Sequence, residues 1–344
     1  MRALIARYPV LIFVLFTLVY QAGVVGSVKL MLPDGGHLHE NGSAWMVFRM
    51  RVFGPLVFAV GITGYLEGWR GIRHLFSGFF RWRVGPGWYA WAIGWKFLFT
   101  FSGIAFAVAV GWCEWPGWIA GNVLSGDHRN LLALISTLPF IFGIAFVEET
   151  AWMKFCVTRL QVRWSALYSC VIVGLAWGLW YLPMLLLGEG VPDGYPWPVF
   201  LLSMLALTIL LGWTFNMTKS GAILWIMQVV SNSAFFLLPV LPGWWNGNAV
   251  YINAFVAVNA LAAVVVVAVF GSKELSNSQR ARWSPQQDGW RGSSFENDRP
   301  PRLGKRRSRS TNHEHRRRHG HHEQVLHDRD RAHGQVEAGA QTDA

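Results

Sequence analysis

The sequence predicts an all-α fold, a polytopic membrane bundle of about eight transmembrane helices. Three observations carry that prediction. Of 344 residues, 53% are apolar and 14% are charged, where soluble domains carry nearer a quarter charged. Eight apolar runs approach the roughly 20 residues that a spanning helix needs. Most Lys and Arg residues between those runs fall on alternate loops, as the positive-inside rule leads one to expect, the opposite loops carrying little beyond Lys29, Arg129 and, at the start of the second run, Arg49 and Arg51.

The runs follow in order. The first, 8–28, comes after Arg2 and Arg7. Only a weak small-residue cleavage site, Ala22-Gly23, lies near it, so it reads as a retained helix and not a removed signal peptide. The second is 48–68. Residues 69–87 carry Arg70, Arg73, Arg81 and Arg83 among aromatic residues, the pattern of a basic amphipathic segment on the inner leaflet or of a plain basic loop. The remaining runs are 88–112, 131–155, 164–187, 198–217, 221–240 and 250–271. The sixth and seventh are parted only by Thr218-Lys219-Ser220, which makes them a helical hairpin.

With eight spans, Arg2, Arg7, the 70–83 cluster, Arg159, Arg163, Lys219 and Lys273 share one side. Both termini are therefore expected to be cytoplasmic, and the protein integral to a membrane, with the plasma membrane of a bacterium as its setting. The net charge of +11 divides into +6 over residues 1–271 and +5 over 272–344. The first stretch is expected to be the membrane domain, with its motifs between about 131 and 240. The second, rich in Arg, His, Ser and Gly, is expected to be a disordered basic tail, because it lacks the apolar surface that offsets ordering entropy. Its basic clusters, Lys305–Arg309 and Arg316–Arg318, are read as solvated charge and not as a specific nucleic-acid site, since acids are interspersed. The abrupt break in composition also fits an altered reading frame of a shorter gene.

Cys113, Cys156 and Cys170 form no CxxC spacing, so they read as small buried hydrophobes. No cofactor is expected. Nor is a metal: His74 and His128 fall in loops, and the apolar runs contain no histidine, where zinc wants three or four ligands.

The densest chemistry lies at the end of the fourth run, in Glu148-Glu149-Thr150-Ala151-Trp152-Met153-Lys154. A carboxylate at membrane depth costs about 2.5–3.5 kcal/mol on insertion scales, so such residues usually face a bundle interior or a wet cavity. Two further segments carry polar groups on apolar helices. They are Gly174-Leu175-Ala176-Trp177-Gly178-Leu179-Trp180-Tyr181-Leu182-Pro183 and Gly221-Ala222-Ile223-Leu224-Trp225-Ile226-Met227-Gln228-Val229-Val230-Ser231-Asn232.

These three segments, in this order, resemble the CAAX protease and bacteriocin-processing (CPBP, Abi) family of intramembrane glutamate endopeptidases. The first resembles its Glu-Glu-x-x-x-Arg, the second its Trp-Gly-Leu-Trp-His-Leu-Pro, and the third a segment ending His-x-x-x-Asn. The resemblance implies peptide hydrolysis inside the membrane. The first glutamate and a histidine would activate water, while a second histidine and the asparagine would stabilise the oxyanion. It places the site at Glu148, Glu149, Tyr181, Gln228 and Asn232, which are then expected to meet in one cavity between the fourth, fifth and seventh helices.

Three polar positions depart from the pattern: Met153 stands at the arginine, Tyr181 at the first histidine and Gln228 at the second. A phenol, with an unperturbed pKa of about 10, is a poor base at neutral pH. Gln228 can donate a hydrogen bond to an oxyanion but cannot carry a proton, and it shares a helix face with Asn232. Met153 also leaves Glu149 without the i,i+4 cation that would balance two adjacent carboxylates. The preferred expectation is a pseudoprotease that binds a membrane or lipidated peptide segment, with membrane lipid and a protein or prenylated-peptide client as partners. The alternative is a divergent active endopeptidase pairing Glu148 with Tyr181 over a Gln228/Asn232 oxyanion hole. A transporter is less supported, because the chain shows neither an internal repeat nor paired broken helices.

Overall fold

The computed structural model describes residues 2–33, 36–119, 129–188, 196–240 and 249–284. All of them fall in one unit, Met1–Arg291. Among the described residues its main α-helices are α1 (Arg2–Arg7), α2 (Pro9–Met31), α3 (Gly42–Met50), α4 (Gly54–Ser77), α5 (Pro86–Ala109), α6 (Arg129–Glu148), α7 (Ala166–Tyr181), α8 (Trp197–Thr218), α9 (Gly221–Leu237) and α10 (Val250–Phe270). No strand occurs among the described residues.

Among the described residues seven helical stretches are long and apolar enough to cross a membrane, and the chain is an integral, multi-pass membrane protein. The eighth expected run is shorter: α9 has 17 residues, about 25 Å at 1.5 Å per residue. It lies against α5 and α6, and its first glycine meets Gly78 backbone to backbone. A Cβ on Gly221 would stand 3.2 Å from the Gly78 carbonyl carbon, so any larger residue would push the two backbones apart by a few tenths of an ångström. The large apolar residues of α2 and α10 that nothing covers, Leu11, Leu15, Phe16 and Val19, and Leu261, Val264 and Val265, form faces suited to lipid.

Local chemistry sets the helix ends. Pro9 and Pro86 begin α2 and α5, where the missing N–H costs nothing. Ser165 and Ser220 cap α7 and α9 by accepting from Tyr168 N and Ile223 N. The Ser220 hydroxyl also donates to the Arg81 carbonyl at 2.6 Å.

The basic segment 69–87 is not a plain loop. Gly68, at φ +62° and ψ −156°, breaks the axis of α4 in a conformation open essentially to glycine alone, and the helix resumes to Ser77. Beyond the break, Gly71, His74, Leu75, Gly78 and Phe79 are buried against the bundle, while Trp69, Phe80 and Trp82 are exposed. His74, expected in a loop, is thus a packed helical residue whose ring meets Trp283 edge-on at 4.7 Å.

The expected tail boundary at 272 is also displaced. Residues 272–284 fold back across one end of the bundle. Ala166 N and Leu167 N donate to the carbonyls of Lys273 and Ser272. Ala281 N donates to Asn216 Oδ1 at 2.9 Å, and Arg280 Nε donates to the Gln161 carbonyl at 3.0 Å. The Trp283 indole donates to both Glu67 oxygens at 3.0 Å. Its ring lies 3.9 Å from the Arg159 guanidinium, which is itself paired with Glu67 at 2.7 Å. The Lys219 ammonium, on a residue with φ +55°, donates to the carbonyls of Asn216 and Gln279. Composition hid this segment because only Leu275 and Trp283 among its residues are large and apolar. The rest of the expected tail, 285–344, lies outside the described residues.

This clip gathers Arg81, Arg159, Lys219 and Lys273 at one end of the bundle, with Arg2 reaching the Leu66 carbonyl beside them. Truncation after Ser284 should leave the melting temperature in detergent unchanged, whereas truncation after Gly271 should lower it by several degrees. Trp283→Ala alone should cost about 1–3 kcal/mol through lost apolar contact and lost hydrogen bonds. Equal melting temperatures for the two truncations would show that the clip contributes nothing.

Candidate active site

The site begins where α6 stops being an α-helix. After Glu148 the chain continues as a π-helix, Glu149–Val157. Such segments are rare and favour functional positions. Thr150 and Thr158 each donate to the carbonyl four residues back, at 2.6 Å, a bond that bends helices. The π-helix is almost wholly buried, with Trp152 stacked on Trp177 of α7 at 5.8 Å and meeting Phe13 of α2 edge-on. Glu148 sits at the junction, 3% exposed.

Two residues from other helices close on it. Tyr181 is the last residue of α7, which Pro183 ends by forcing a tighter 3-10 turn over Leu182–Leu187. Its hydroxyl donates to Glu148 Oε1 at 3.3 Å. Gln228 of α9 donates from Nε2 to Glu148 Oε2 at 2.8 Å. The carboxylate therefore holds one donor on each oxygen. A cation stands near as well. Arg51, between α3 and α4 and 9% exposed, lies within electrostatic reach of both Glu148 and Tyr181. Its guanidinium sits 3.6 Å from the Phe48 ring centre and donates to the Phe48 carbonyl at 2.8 Å. The sequence pattern pointed to a site with no cation; the structure brings one from a helix outside the motifs.

A partly enclosed cavity of about 260 Å³ lies on the far side of Tyr181 and Gln228. Those two side chains, with Trp177 and Asn232, form part of its wall. The rest comes from α5, α8, α10 and further residues of α9, Ser231 and Phe235, and not from the fourth span as expected. Glu148 is thus screened from the cavity by its own two hydrogen-bond partners. The five expected residues do not converge as one lining. Tyr181, Gln228 and Asn232 face the cavity, Glu148 stands behind them, and Glu149 belongs to neither group. Glu149 is fully buried, and among the described residues neither of its oxygens has a hydrogen-bond partner. Met153, also fully buried, offers it none. Lys154 does not reach it either, lying instead 6.0 Å from the Phe215 ring centre.

Residues 130–234 match the family of type II CAAX prenyl endopeptidases described as Rce1-like. The likeness is to the CAAX protease family over that stretch, about a third of the chain. The matched stretch contains all three motif segments and runs from the start of α6 into α9. No curated protein sequence matches the chain. Among the described residues no group of three His, Cys, Asp or Glu side chains gathers, so the geometry assigns no metal ligands.

Two basic residues beside Glu148 or the cavity, Arg51 and Lys96, lie outside the three motif segments. Lys96 of α5 lines the same cavity and is 2% exposed. Its signal was present: it is the one Asp, Glu, Lys or Arg in the apolar run 88–112, and an ionisable residue at membrane depth marks a functional site by default.

Proposed function

We propose that the chain is a peptide-binding member of the CAAX protease family in which the hydrolytic step is lost. The observation that carries this reading is the state of Glu148. A general base must reach the water it deprotonates, directly or through one intervening water. Here both carboxylate oxygens accept from Tyr181 and Gln228, and those side chains stand between Glu148 and the cavity. Neither replaces the missing base, since a phenol holds its proton at neutral pH and an amide has none to exchange.

Binding is a different matter. The cavity wall is apolar with a few polar groups, as ligand sites usually are. Gln228 Oε1 is buried without a partner and offers an acceptor for a backbone N–H, while Asn232 adds a side-chain amide. The basic end of the bundle is read as the cytoplasmic face, with the amino terminus and the clip on that side. The client is read as a lipidated peptide segment entering from the membrane.

Arg51 favours a second reading, a divergent endopeptidase in which Glu148 and Tyr181 act together. A guanidinium beside them could hold the pair charged while Gln228 and Asn232 serve as oxyanion donors.

The test is binding with recovery of the ligand. A dansylated, farnesylated tetrapeptide should bind the purified protein saturably and be recovered intact by mass spectrometry. Gln228→Leu should weaken binding by about tenfold, the loss of one buried hydrogen bond. Cleaved peptide in the wild-type sample would support the second reading. An absence of saturable binding would remove both.

A further inference from the structure

Among the described residues, the buried amino group of Lys96 has no counter-ion. Its Nζ lies 4.0 Å from the centre of the Phe255 ring, 4.3 Å from Phe235 and 5.5 Å from Trp95. Among the described residues it makes no hydrogen bond and no ion pair. Aromatic faces attract a cation, but they do not replace the hydrogen bonds that three N–H groups lose on leaving water. Intramembrane lysines pair with an acid, a carbonyl or a ligand. The acid nearest in function, Glu148, is engaged by Tyr181 and Gln228 and does not line this cavity.

The surroundings restrict what could complete the pairing. Trp95, Phe200, Met204, Leu207, Ile252 and Phe255 give the cavity an apolar wall. Its polar side chains are neutral apart from Lys96, and one polar atom, Asn259 Oδ1, is buried without a partner among the described residues. One positive charge against an apolar wall suits one negative charge on an apolar body. A doubly charged phosphate would leave charge uncompensated there. At about 260 Å³, just under the usual range of ligand pockets, the space holds one large apolar side chain or the end of an acyl chain.

From these features we infer that the cavity around Lys96 is a binding site for an apolar monocarboxylate, held by the Lys96 ammonium with its body among the rings of Trp95, Phe235 and Phe255. The site stands whether or not the protein cuts peptides. Two sources supply this chemistry: a fatty acid from the bilayer, and the free carboxyl-terminal residue of a peptide.

The test uses the full chain in a non-ionic detergent with two labelled probes, [1-13C]octanoate and carboxyl-labelled N-acetylleucine. Each is titrated while the carboxyl resonance is followed by 13C NMR. At least one acid should show a saturable, displaced resonance. Octanol and N-acetylleucinamide should fail to compete, because they lack the charge. Lys96→Arg should retain binding, and Lys96→Met should weaken it by about tenfold or more, as expected for a charge-assisted contact. Binding of octanoate alone assigns the site to acyl chains, binding of N-acetylleucine alone assigns it to peptide ends, and binding of both supports the shared chemistry. No saturable resonance with either acid overturns the inference. So does equal binding by Lys96→Met, or competition by the neutral analogues as strong as by the acids. The wild-type comparison of acid with neutral analogue decides the matter even if Lys96→Met fails to fold.

Discussion

The triple variant Tyr181→His, Gln228→His, Met153→Arg is expected to hydrolyse a prenylated peptide that wild type leaves intact. The gain should be about 100-fold or more over the wild-type background, the lower range for recovering general acid–base catalysis. Each substitution addresses one defect. Histidine at 181 puts a base with an unperturbed pKa near 6.5 where a phenol now donates to Glu148. Histidine at 228 can carry charge to an oxyanion, which the present amide cannot. Arginine at 153 stands four residues from Glu149, whose oxygens now have no partner. The single variants should do little, because residues that act as a unit are strongly non-additive. A triple variant that folds, binds the peptide and still leaves it intact would place the block elsewhere, most directly in the screening of Glu148 from the cavity.

The second large effect falls on stability. Glu149→Met should raise the melting temperature, because it replaces a fully buried, unpartnered carboxyl with an apolar side chain of similar reach. The expected gain is about 1–3 kcal/mol, the cost that protein mutations assign to an uncompensated buried polar group. The shift is about 2–4 °C per kcal/mol for domains of roughly 150–250 residues and falls with size, so a rise of a few degrees is expected here. Met153→Arg should stabilise as well, by giving Glu149 a cation. The two changes should not add, because Glu149→Met in the Met153→Arg background would strand the new charge; a double-mutant cycle measures that coupling. A lower melting temperature for Glu149→Met would mean that Glu149 holds a structural contact in the bilayer.

Much of this was legible in the chain, and the exceptions have physical causes. The spans stood out because long apolar runs admit few other readings in a chain so poor in charge. The motif segments at 148–153, 174–183 and 221–232 pointed to three side chains that do meet, Glu148, Tyr181 and Gln228. The π-helix after Glu148 was not legible, because its i→i+5 bonding follows from packing around Trp152 and not from a residue pattern. That widening helps explain why Glu149 departs from the group its sequence neighbour joins. Arg51 was missed because it lies at the start of a span, where an arginine reads as an interfacial anchor. The clip over 272–284 was missed because averaging composition over 73 residues concealed a short stretch in which Asn216, Gln161 and Glu67 wait as partners.

The most direct test of the central claim compares wild type with Glu148→Ala. Both proteins are purified, matched for folded fraction, and incubated with the same prenylated peptide and with a generic transmembrane peptide, and products are counted by mass spectrometry. The account predicts the same rate for both proteins, at the level of the buffer control, with peptide still bound. Cleavage by wild type that disappears in Glu148→Ala would contradict it and make Glu148 the base of a working endopeptidase.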